Sequence, residues 1–106
     1  MKIESVNHNG QLKLYFDGEL DHHAAKKAMQ SIEEYIDSVL PRNLVLYFKN
    51  LSFMDSSGIA IIVKSYRKIN ALGGKFSIEN VGKQPLRVLD ASGIERLVNI
   101  TATAKE

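Results

Sequence analysis

A chain of 106 residues with 44% hydrophobic residues has the length of one domain and apolar side chains enough for one core. Its formal charge is only +2 and its acids and bases are interspersed, so it lacks the basic stripe of a nucleic-acid binder, and no direct contact with nucleic acid is expected. Without cysteine there are no disulfides, zinc–thiolate centres or thiol nucleophiles, and the longest apolar run, Ile59–Val63, falls far short of the ~20 residues that cross a bilayer.

Ile3–Asn7 and Gln11–Asp17 read as two strands around an Asn9-Gly10 turn. In the second, Leu12, Leu14 and Phe16 alternate with Lys13 and Tyr15, the period of a half-buried strand, and Gly18 breaks the pattern. Asp21 suits an N-cap, because its carboxylate can accept bonds from the first free amides of a helix. Behind it Ala25, Ala28, Met29, Ile32, Tyr35, Ile36 and Val39 recur at helical spacing, leaving Lys26, Lys27, Glu33, Glu34 and Asp37 for solvent. Pro41 ends this helix. Leu44–Phe48 is an unbroken apolar run, the pattern of a strand covered on both faces.

A polar turn follows, then a second helix over Ser57–Leu72 with Ile59, Ile62, Val63, Tyr66 and Ile69 facing inward and Gly73-Gly74 as its stop. Phe76–Asn80 reads as a further strand, and Pro85 belongs in the first turn of a third helix that Gly93 ends. Leu97–Ile100 reads as a last short edge strand or helix, and residues 101–106 as a frayed tail. Strands and helices thus alternate after the hairpin. That order predicts a single α/β domain over residues 1–106, with a mixed, mostly parallel sheet of four to five strands and three to four helices. The turns after Asp17 and after Lys49 should open on one edge of the sheet, where open α/β sheets place their sites. Met1–Asn7 carries no apolar signal core, and the expected setting is soluble and cytoplasmic, away from membranes.

The segment Asn50–Gly58 concentrates small polar residues, an acid and a glycine at a helix start. Ser56 or Ser57 can cap the helix, and an exposed serine at that position also presents its hydroxyl to a kinase. Phe53 reads as a loop anchor packed beneath the helix start, and Met54 as either an anchor or an apolar contact for a partner. Glu19, Asp21, His22 and His23 resemble metal ligands, but adjacent histidines on a helix diverge by about 100°, so no metal site is expected. A polar contact patch beside Ser56 fits them better. The phosphate-loop, dinucleotide and nucleophile-elbow patterns are all absent. A triad of Ser56, a histidine and Asp55 can be drawn, but no spacing requires it.

Gly18-Glu19-Leu20-Asp21-His22-His23 together with Leu51-Ser52-Phe53-Met54-Asp55-Ser56-Ser57-Gly58 resembles the anti-sigma factor antagonist family of the STAS domain class, and the Asp-His-His run its sporulation branch. The resemblance extends over essentially the whole chain. It implies a protein without catalytic activity or cofactor that binds an anti-sigma factor with serine kinase activity and so frees a sigma factor. It further implies that this kinase phosphorylates Ser56, that the modification ends binding, and that a serine phosphatase restores it. The expected partner footprint is Glu19, Asp21, His22, Met54, Asp55, Ser57 and Gly58 around Ser56. Two other readings remain: a non-phosphorylated STAS scaffold of a lipid-transport or stress complex, and a small hydrolase.

Overall fold

The computed structural model describes residues 1–102 and begins with the hairpin that Asn9-Gly10 demands. Both turn residues have positive φ, 49° and 86°, which matches the twist of the strands they join. Strand β1 (Lys2–His8) pairs antiparallel with β2 (Gln11–Leu20). Gly18 does not end β2. It takes φ +118°, and β2 continues to Leu20 with register shifts against the next strand on either side of Asp17-Gly18.

Helix α1 (His22–Val39) starts at Asp21, whose Oδ1 accepts from the Ala24 amide at 3.0 Å. It stops where Leu40, at φ 49°, turns left-handed before Pro41. Strand β3 (Asn43–Met54), helix α2 (Ser56–Ala71), strand β4 (Lys75–Val81), helix α3 (Lys83–Ser92), a 3₁₀ turn (Ile94–Arg96) and strand β5 (Asn99–Ala102) complete the chain. Thr101 and Ala102 belong to β5, and Ala102 pairs with Val81, so the expected tail does not begin at 101. Residues 103–106 of that tail lie outside the described residues.

The five strands lie in the order β1-β2-β3-β4-β5, parallel except for the first pair. Stepwise order with right-handed crossovers puts every helix on one face of the sheet, with α1 against α2 and α2 against α3. Leu12, Leu14, Phe16, Leu44, Leu46, Phe48, Phe76 and Ile78 fill the space between that face and the helices. Among the described residues the opposite face carries no helix, yet Val45 there is buried and Tyr47 half-buried, so the Leu44–Phe48 run is covered on both sides as its pattern implies. There Tyr15 and Tyr47 pack with ring centroids 4.8 Å apart, and the Lys13 ammonium sits 5.1 Å from the Tyr47 centroid. Val45 lies on this face in register between Lys13 of β2 and Ser77 of β4.

The expected polar turn after Lys49 is strand. Leu51 and Met54 point into the core while Lys49, Asn50, Ser52 and Phe53 are exposed, so the outward positions supply the polarity. On α2 the buried stripe is Gly58, Ile61, Ile62, Ser65 and Ile69, rotated from the expected one; Ile59, Val63 and Tyr66 are only partly buried. Ser65 can lie in the core because its hydroxyl donates to the Ile61 carbonyl at 2.8 Å. Among the described residues no helix is long and apolar enough to cross a membrane.

Candidate partner-binding and modification site

Parallel pairing carries β2 and β3 to a shared end, Leu20 opposite Met54. Helices α1 and α2 therefore start side by side, one residue beyond their strands, and the Asp55 amide donates back to the Leu20 carbonyl at 3.3 Å. The two expected loops do share one edge.

Asp55 organises that edge. Its Oδ1 accepts from the Ser57 amide at 2.8 Å and its Oδ2 from the His22 amide at 3.0 Å, so one carboxylate caps α2 and ties it to the start of α1. The cap is thus Asp55 rather than Ser56 or Ser57. An acid at this position can engage both helix starts at once, and a hydroxyl cannot. Partial burial pushes the Asp55 carboxyl up. The bonds from the Ser57 amide and hydroxyl and from the His22 amide, with the His22 charge, outweigh it and hold the group below the usual aspartate range.

Ser56 is the first residue of α2 and is exposed, with half-buried Asp55 and Ser57 on either side. Glu19 and His22 are exposed on the neighbouring turn, and Asp21 is half-buried with its carboxylate on the Ala24 amide. The His22 and His23 rings stand 5.8 Å apart and tilted by 65°, and among the described residues no three potential ligands gather as a metal site. Asp55 meets the backbone of His22 and not its imidazole, so the acid–histidine relay of a hydrolase is not assembled here.

The expected footprint loses the Met54 side chain, and Phe53, read as a loop anchor, lies elsewhere than expected. Met54 is 0% exposed, packed beneath the start of α2, so its side chain is not offered to a partner. Phe53, expected beneath the helix, is 38% exposed. Neighbouring residues of a strand point to opposite faces, and the core takes Met54. Gly58 is also buried: a Cβ there would meet Met54 Cγ and Sδ, so the glycine lets the helix close down on the methionine.

Sequence reasoning missed Gln84. From the first turn of α3 its Oε1 accepts from the Met54 amide at 2.8 Å and its Nε2 donates to the Met54 carbonyl at 3.0 Å. Strand pairing between β3 and β4 ends at Tyr47 and Glu79, so the Gln84 amide stands in for a strand partner further along β3. A glutamine beside a proline carries no motif signal, and only the three-dimensional register reveals its role. Gln84→Leu leaves both Met54 groups unpaired and should lower stability by about 2 kcal/mol in chemical denaturation. Gln84→Glu keeps the acceptor but not the donor and should lose about half as much.

The STAS domain family model matches residues 2–106, and the chain belongs to the STAS domain family. It is 37% identical over 100 residues to the anti-sigma F factor antagonist of Paenibacillus polymyxa, covering 94% of this chain and 86% of that protein. The fold is similar to that of the anti-sigma factor antagonist SpoIIAA in its unphosphorylated form, with a TM-score of 0.80 and 25% identity over 93% of this chain and 87% of the other. It is also similar to phosphorylated SpoIIAA, a Bacillus cell fate determinant, with a TM-score of 0.71 and 25% identity over 93% of this chain and 90% of the other.

Proposed function

We propose that this chain is an anti-sigma factor antagonist switched by phosphorylation of Ser56. The observation that carries the reading is the exposed Ser56 hydroxyl at the first position of α2, with the backbone around it fixed by Asp55 and Gln84. The names of its relatives and its likeness to a protein solved in both phosphorylation states support it. The unmodified edge, with Glu19, Asp21, His22, Asp55, Ser57 and outward-facing Phe53 around Ser56, binds an anti-sigma factor that is also a serine kinase, and the sigma factor is released in the cytoplasm. Met54 and Gly58 serve that edge from below, by packing.

In the transfer step a base on the kinase takes the Ser56 proton. The Oγ–phosphorus bond forms as the bond from the terminal phosphoryl group of ATP to ADP breaks. This chain supplies only the positioned hydroxyl. The phosphate adds about −1.5 to −2 charges beside Asp55. Facing an acidic or phosphate-bearing partner surface, that charge is enough to end binding, since each 1.4 kcal/mol is about tenfold in affinity. Hydrolysis by a serine phosphatase restores the hydroxyl.

Incubation with a candidate anti-sigma kinase and magnesium–ATP, followed by intact mass, tests the reading. One phosphate per chain is expected, and none on Ser56→Ala. The Ser56→Ala chain should still bind the kinase, because the cap on α2 belongs to Asp55 and is untouched. Full labelling of Ser56→Ala would move the modification elsewhere.

A further inference from the structure

Ser56 shares a shallow depression of about 400 Å³ with Ile59, Arg87, Val88, Ala91 and Ser92, between the start of α2 and one face of α3. Arg87 is the one charged side chain among these six lining residues. It is exposed, and the ion pairs among the described residues, Lys2–Glu4, Lys13–Glu79 and Lys68–Asp37, do not include it. Its position is not arbitrary. Gln84, three residues earlier on the same face of α3, is bonded to both polar backbone groups of Met54, two residues before Ser56. The clamp that fixes the serine turn therefore also fixes the helix that carries Arg87.

The unmodified site makes a poor cradle for a phosphate on its own. The Ser57 amide, a natural donor to an anion at this helix start, is already taken by the Asp55 carboxylate. That carboxylate also places a negative charge next to Ser56. A phosphate added here needs a cation, and a guanidinium, with its fork of donors matched to phosphate oxygens, is the strongest one a side chain can offer.

We propose that Arg87 is the intramolecular counter-charge of phosphorylated Ser56: the phosphate folds across the depression onto the guanidinium of α3. This rests on the reading of Ser56 as the modified residue and adds a second component to its switch. Modification then does two things at once. It places negative charge on the edge, and it withdraws an exposed arginine from the surface offered to a partner.

The test installs phosphoserine at position 56 during translation, so it does not depend on any kinase accepting the chain. The phosphate is titrated by ³¹P NMR in the parent, Arg87→Gln, Arg87→Lys and Lys83→Gln. A cation beside the phosphate favours its dianion. The parent midpoint should therefore lie roughly half a pH unit or more below that of Arg87→Gln, a shift of the size nearby charges produce at exposed sites. Arg87→Lys keeps the charge but loses the fork and should fall between them. Lys83 is an exposed cation of α3 outside the depression, and Lys83→Gln should titrate with the parent. The neighbouring carboxylates Asp55 and Asp90 are present in all four proteins, so their effects cancel. Coincident curves for the parent and Arg87→Gln would overturn the proposal, as would an equal shift in Lys83→Gln, which would reduce the effect to general surface charge. A kinase that leaves Ser56 unmodified would instead count against the proposed function and leave the Arg87 result standing.

Discussion

Asp55→Ala is expected to destabilise the protein by about 2–3 kcal/mol, the sum of a lost helix cap and a lost charge-assisted bond to a second helix. In a domain of this size that lowers Tm by roughly 10 °C or more. Asp55→Asn separates the two parts. Its carbonyl oxygen can still accept from Ser57, but its NH₂ then faces the His22 amide, donor against donor, so only the tie between helices is lost. The Asn variant should lose about 1 kcal/mol.

The two variants also differ from the parent in pH dependence. The folded state holds the Asp55 carboxyl below its ordinary value. A group with a depressed folded pKa stabilises fully above its unfolded pKa, near 3.9, and loses that contribution as pH falls through the lower folded value. Urea unfolding across the acid range should therefore show the gap between parent and Asp55→Asn at full size above about pH 4, narrowing below it. A gap that does not change with pH would mean that ionised Asp55 is not the form that holds the two helix starts.

Gly58→Ala is the second large effect. Helix propensity alone favours alanine over glycine by about 1 kcal/mol. Here that gain is overridden, because the added Cβ would come within 2.5 Å of Met54 Sδ and 3.4 Å of Leu20 Cδ2. Both neighbours are 0% exposed, so the methionine has to shift within a packed core. Overpacking of this kind costs about 1–3 kcal/mol, and Gly58→Val, with a branched Cβ, should cost more than Gly58→Ala. A double-mutant cycle makes the cause explicit. In a Met54→Ala background the new methyl enters the cavity left by the methionine, so Gly58→Ala should become neutral or stabilising. Equal costs in both backgrounds would remove Met54 as the reason for glycine at 58. Because Gly58 lies two residues after Ser56, the proposed function further predicts that the same variant is phosphorylated more slowly at Ser56 when incubated with an anti-sigma kinase, through the shifted start of α2.

Much of this architecture is legible in the amino-acid order. The alternation in Leu12, Leu14 and Phe16, the helical stripe behind Asp21, and the Asn9-Gly10 and Gly73-Gly74 stops each carry one local physical cause, and each element forms where that cause acts. The second half of β3 was illegible for an equally physical reason. Lys49, Asn50 and Ser52 point outward, so a window read for composition finds a polar turn, while the two register shifts against β2 space the inward residues Phe48, Leu51 and Met54 by three and hide the period of two. Gly18 misled in the opposite way, since a glycine that stops a strand and one that lets it shift register look the same in one dimension.

At the site, Ser56 and the neighbourhood of Glu19, Asp21 and His22 could be singled out because they lie in short contiguous segments whose strands are parallel neighbours. The contributions of Gln84 and Arg87 could not, since they come from a helix some thirty residues on and depend on how α3 docks. Phe53 and Met54 cannot be told apart in one dimension, because each is apolar and strict alternation from inward Leu51 would turn Phe53 in; the register shift against β2 between Leu51 and Phe53 reverses the two.

The tyrosine pair on the helix-free face has a practical optical consequence. The chain has four tyrosines and no tryptophan. Tyr15 and Tyr47 pack against each other, tilted, on the open sheet face, Tyr35 reaches the Ile3 carbonyl of β1, and Tyr66 packs on Phe76. None of them belongs to the edge around Ser56. Native ultraviolet emission is therefore a gauge of sheet integrity, suited to following unfolding, and it is a poor gauge of site occupancy. Phe53, aromatic already, exposed and three residues from Ser56, is the place where an indole fluorophore would see the partner arrive.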